Sequence, residues 1–135
     1  MLVATALIAL VMCSPASGKV GVSIIVGDRA PAVGEQISVV VRTQVPLRWN
    51  LRLIAVAPGQ PVFPVVATIT GDTSRPVANV SRDGFEIHLV RAARNRWRGL
   101  VQFSRHGRWQ LVVPNEAPEG VMLPHGAALL TVTVR

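Results

Sequence analysis

The side chains able to do chemistry concentrate in one window. Residues 95–115 read NRWRGLVQFSRHGRWQLVVPN, with four arginines, one histidine and two tryptophans. Such a mixture suits a nucleic-acid patch, a catalytic cluster, or two strands with basic outer faces. Periodicity separates these readings. Trp97, Gly99, Val101 and Phe103 share one parity, against Arg96, Arg98 and Gln102. After the loop Ser104 to Gly107, Trp109, Leu111 and Val113 share a face against Arg108 and Gln110. Alternation of this kind marks a half-buried hairpin with an aromatic core face and a solvated basic face. Upstream, Arg48 and Arg52 hold the polar parity of Trp49, Leu51, Leu53 and Ala55. If the two strands are neighbours, Arg48, Arg52, Arg96 and Arg98 line one sheet surface. That surface would suit anionic lipid headgroups, an acidic cell-wall polymer or an acidic partner protein.

Other chemistry is thinly represented. Met122-Leu123-Pro124-His125 pairs a thioether with an imidazole, the donors that Cu(I) favours, but supplies only two ligands. Copper is therefore the one metal with any donor set, and no cofactor is expected. His88 falls on an outer strand parity and His106 in a hairpin tip. Ser104 and His106 share a tight loop, and no Gly-x-Ser-x-Gly elbow exists. Asp28, Asp72, Asp83 and Glu86 form no spaced pair of the glycosidase kind. Phosphate-binding and dinucleotide glycine motifs are missing. No enzyme is expected. Trp49, Trp97 and Trp109 all lie on core parities, so they read as core anchors before stacking platforms.

Composition narrows the partner. The 135 residues are half apolar, only 16% are charged, and the net charge is +7. Thirteen of the fourteen cations are arginine. They are scattered from Arg29 to Arg135 instead of running together, which disfavours a nucleic-acid binder. Cys13 is the single cysteine, so neither an intrachain disulfide nor a multi-cysteine metal site exists.

Residues 1–18, MLVATALIALVMCSPASG, read as a signal peptide. Leu2 to Met12 is an apolar run too short to span a bilayer as a helix. Small residues follow at Ser14-Pro15-Ala16 and Ala16-Ser17-Gly18. Leu10-Val11-Met12-Cys13 resembles a lipobox, although Met12 stands where a small residue is usual. The expected location is extracytoplasmic: secreted, periplasmic, or anchored as a lipoprotein through Cys13.

Residues 19–135 are dominated by period-two alternation between Gly- and Pro-rich turns, with about seven to nine short strands. Val62 to Thr70 reads as a valine-rich strand that Pro64 confines to an edge or a bulge. Val77 to Val80 reads as another short strand. Arg91 to Arg96 is too short to establish a helical turn, and no amphipathic helix is expected. The fold class is an all-β antiparallel sandwich.

Two local patterns extend this reading. In Pro31-Ala32-Val33-Gly34-Glu35-Gln36-Ile37-Ser38-Val39, "VGE" precedes an alternating strand, as it often does before the second strand of bacterial immunoglobulin-like domains. The stretch Trp97-Arg98-Gly99 … Gly107-Arg108-Trp109-Gln110-Leu111-Val112-Val113 is similar to a hairpin of YtkA-like and FixH-like envelope domains. The resemblance covers about half of residues 19–135. It implies an immunoglobulin-like sandwich outside the cytoplasmic membrane. Some such relatives are associated with copper handling or oxidase assembly, which here would fall to Met122 and His125. The expected function is a non-catalytic exported module that binds or scaffolds a protein or anionic polymer at the cell envelope. Copper handling is the alternative, and nucleic-acid binding a further one.

Overall fold

The computed structural model describes residues 21–71, 80–114 and 128–135. The alternating runs become β1 (Val22–Val26), β2 (Ile37–Thr43), β3 (Leu53–Val56), β4 (Gly84–Ile87), β5 (Val90–Ala93), β6 (Arg96–Val101), β7 (Gly107–Val113) and β8 (Ala128–Val134). Two helical segments interrupt them, α1 (Val62–Thr70) and the single turn α2 (Val80–Asp83). The strands form two antiparallel four-stranded sheets, ordered β1-β2-β6-β5 and β4-β3-β7-β8.

Their inward residues meet in one core. Ile37, Val39, Val41, Trp97 and Val101 come from the first sheet; Leu53, Ala55, Ile87, Trp109, Leu111, Val113, Val132 and Val134 come from the second. Phe85, Phe103 and Trp109 form an aromatic cluster, with Trp109 5.2 Å from Phe103 and 5.7 Å from Phe85 between ring centroids. Such tilted contacts contribute beyond the area they bury. Trp97, flanked by two arginines, is still only 1% exposed. Its Nε1 donates to Asn50 Oδ1 at 3.2 Å, and the Arg91 guanidinium lies 4.8 Å from its ring centroid. Arg91 also donates to the carbonyls of Leu47 and Trp49, strapping that segment to β5.

The expected strand over Val62 to Thr70 is a helix. Val62, Val65, Val66 and Ile69 stand at i, i+3, i+4 and i+7, and all four turn toward the second sheet. Pro64 falls in the first turn, where its missing N–H has no intrahelical acceptor to lose. Gly71, at φ 102°, ends the helix with its N–H on Thr68 O. The helix covers the outer side of β3 and β7, where Ile54, Val56 and Val112 form a second apolar cluster with Val65 and Val66. This explains why β3 is buried on both faces. Val80, expected to end a strand, begins the turn α2. The rest of that expected strand, 77–79, lies outside the described residues.

The chain changes sheets between β4 and β5, at His88 and Leu89. Here the crossover runs against Gly99, whose absent Cβ would sit 2.5 Å from His88 O. At the opposite edge, Thr133 and Arg135 of the β8 segment donate backbone N–H groups to the carbonyls of Arg29 and Pro31. The segment leaving β1 thus ties the first sheet to the second.

Candidate binding face

The outer parity of the first sheet is assembled by strand register. One row across its four strands is Ile25, Val40, Arg98 and Val90. The adjacent row is Ser23, Arg42, Arg96 and Ala93, and on the other side Ser38 faces Leu100. Arg42 and Arg96 therefore stand directly opposite each other, with Arg98 two residues along β6. Ile25, Val40, Arg42, Arg96 and Arg98 line a depression of about 340 Å³. A second, of about 540 Å³, continues past Val40 and Arg98 to His88, Val90 and Leu100.

This face has cations without anions. No aspartate or glutamate occurs in β1, β2, β5 or β6. Among the described residues, no carboxylate pairs with Arg42, Arg96 or Arg98, and Arg96 Nε is buried without a hydrogen-bond partner. Like charges directly opposite across a ladder are destabilising. The apolar side chains beside them are open to solvent: Leu100 is 62% exposed, Val90 59% and Ile25 49%. The arrangement can hold phosphate, sulfate or carboxylate groups beside a small aliphatic surface.

The four expected arginines divide. Arg96 and Arg98 lie together here. Arg52 does not: β3 belongs to the other sheet, and Arg52 precedes it. Its Nη2 and Nε donate to Glu86 Oε1 and Oε2 at 2.6 and 2.9 Å, and it also reaches the carbonyls of Ile69 and Thr70 at the end of α1. That bidentate bond holds the Glu86 carboxyl below its ordinary range, against an opposing effect of partial burial. Arg52 is thus a clamp between α1 and β4. Arg48 is exposed on the segment before β3, and belongs to no shared row with Arg96 and Arg98. Arg42 takes the place expected of these two. It occupies the polar parity of β2, a signal visible in the alternation of Ile37, Val39 and Val41 with Ser38 and Arg42.

His88 and His106 are exposed. Among the described residues no group of three or more His, Cys, Asp or Glu is placed to hold a metal. Met122 and His125 lie outside the described residues, as do Cys13 and the whole of 1–18. No described helix is long and apolar enough to cross a membrane. No protein-family model, curated protein or solved structure matches the chain.

Proposed function

We propose that this chain is a non-catalytic binding module of the bacterial cell envelope, an immunoglobulin-like sandwich exported behind the signal peptide at 1–18. The order β1-β2-β6-β5 supports the immunoglobulin reading. It has the same strand order as the A-B-E-D sheet of a constant-type domain, and β4-β3-β7-β8 the order of a C-F-G sheet with one added edge strand. A further parallel lies at the β6–β7 corner, where Trp109 Nε1 donates to Arg105 O at 3.0 Å. Immunoglobulin domains place a tyrosine there, bonded to backbone a few residues upstream. The observation that carries the binding reading is the unpaired trio Arg42, Arg96 and Arg98 on an outer sheet face. Directly opposed guanidiniums cost a fold stability, and an anion between them relieves that cost.

The test compares two charge-matched variants on a polyanionic resin. R42Q/R96Q/R98Q is expected to elute at distinctly lower salt than R29Q/R105Q/R108Q, whose arginines lie away from this face. Equal elution would overturn the assignment of the face. For the compartment, cell fractionation with intact-mass measurement is expected to give an extracytoplasmic chain that starts at Ser17 or Lys19. A full-length cytosolic chain would overturn export.

A further inference from the structure

We infer that the outer face of β1-β2-β6-β5 docks on an anionic phospholipid bilayer, with Arg42, Arg96 and Arg98 on lipid phosphates and Ile25, Val40, Val90 and Leu100 against the headgroup–acyl boundary. This rests on the binding-face reading above and names its partner.

The composition of the face selects among occupants. Its outward side chains on the four strands are arginine, aliphatic residues, alanine and serine. A second copy of the chain is disfavoured, because face against face would gather six guanidiniums with no carboxylate among them. A soluble polyanion would use the arginines and leave the exposed Leu100, Val90 and Ile25 unused. An anionic bilayer offers both chemistries in adjoining layers, and arginine stems lie along apolar surface while their heads stay at phosphate level. Position points the same way. The apolar run Leu2–Met12 precedes β1, the edge strand of this very sheet, by ten residues. Ten residues reach at most about 35 Å when extended. Until it is cleaved, that run holds the face-bearing sheet within this distance of the membrane.

The strength expected is modest. Each arginine near an anionic leaflet raises partitioning about fivefold, so three account for about a hundredfold. Screening shortens that attraction to about 8 Å at physiological salt.

Vesicle sedimentation tests it. The purified chain starting at Lys19 is mixed with phosphatidylglycerol–phosphatidylcholine vesicles and with pure phosphatidylcholine vesicles, at low and high salt. All variants start at Lys19, so the apolar run Leu2–Met12 contributes to none of them. Unfolding midpoints establish that each variant is folded. Stronger binding to the anionic vesicles is expected, reduced by salt. R42Q/R96Q/R98Q should lose about a hundredfold, and R29Q/R105Q/R108Q much less. I25S/V90S/L100S should bind the anionic vesicles more weakly while keeping its retention on the polyanionic resin. Equal binding to both vesicle types would overturn the bilayer inference. So would an I25S/V90S/L100S variant that binds vesicles like the parent. Retention of the parent on polyglutamate without anionic-vesicle preference would reject the bilayer in favour of an acidic protein or polymer, and would leave the binding face standing. Indistinguishable behaviour of the two arginine triples in every assay would remove the face itself.

Discussion

Gly99 offers the sharpest test of how this fold delivers its outer face. It sits in the middle of β6 on the inward parity, opposite Val39. Its backbone lies outside the left-handed region, so conformation alone does not demand glycine. Space does. A Cβ there would stand 2.5 Å from His88 O, 3.3 Å from Leu89 Cδ2 and 3.4 Å from Ile87 Cγ2. To bring the first contact to an ordinary 3.4 Å, β6 and the crossover must part by about 0.9 Å. Neither backbone is free to move. β6 is paired on both sides, to β2 and β5, and the crossover is held between β4 and β5. Overpacking typically costs about 1–3 kcal/mol, and a clash with backbone belongs at the upper end. For a domain near a hundred residues, about 3 kcal/mol lowers the melting temperature by roughly 10–20 °C. Gly99→Ala should show this in thermal and urea unfolding followed by tryptophan fluorescence, with Trp97 two residues away on the same face. Gly34→Ala is the comparison. Gly34 has φ +79° and no atom within 4 Å of its ideal Cβ, so it loses only the backbone preference, about 1–2 kcal/mol. A Gly99→Ala protein as stable as Gly34→Ala would refute the close crossing of the 88–89 segment beneath β6.

Two further outcomes test the rest of the scaffold. Ile54 is fully buried between the second sheet and α1, so Ile54→Ala should cost about 2–5 kcal/mol in urea unfolding; a loss below about 1 kcal/mol would mean that α1 does not cover the sheet. Glu86, held below its ordinary value of 4.5 chiefly by its hydrogen bonds from Arg52, contributes stability that is present above that value and is lost as pH falls through its folded pKa. Both partners are about a third exposed, so the contribution is under about 1 kcal/mol. Glu86→Gln should therefore be less destabilised than the parent between pH 7 and pH 3, and equal acid sensitivity of the two proteins would contradict the clamp.

Strand periodicity was a sound guide wherever one face meets water. The inward sets of β1, β2, β6 and β7 follow from alternation, because a half-buried strand admits only one assignment of parity. Trp97 illustrates its strength: two flanking arginines did not displace it from the core, since Asn50 satisfies its N–H and Arg91 covers its ring. Alternation misled where both faces are buried. Val65 and Val66 are adjacent and both buried, which no one-sided strand allows, and the spacing of Val62, Val65, Val66 and Ile69 is helical. Their β-branched character and Pro64 suggested an edge strand, yet a proline in the first helical turn is no obstacle. Ile54, Val56 and Val112 carried the complementary signal: apolar residues on an outer parity require a covering layer.

The arginine face was legible by strand and illegible by pairing. Parity alone places Arg42, Arg96 and Arg98 on outer faces, and it does the same for Arg52. Which of these meet depends on which strands are hydrogen-bonded, a long-range property that no local window contains. In this sandwich β6 pairs with β2 across more than fifty residues of sequence, while β3 lies in the other sheet. Arg42 therefore joins Arg96, and Arg52 is left to pair with Glu86 across β3–β4. The acid distribution fits the same division. Glu86 sits where an arginine already serves the fold, and the first sheet carries no acid at all. Arg52 is neutralised by Glu86 while no described carboxylate pairs with Arg42, Arg96 or Arg98, and that contrast marks the proposed face more clearly than net charge does.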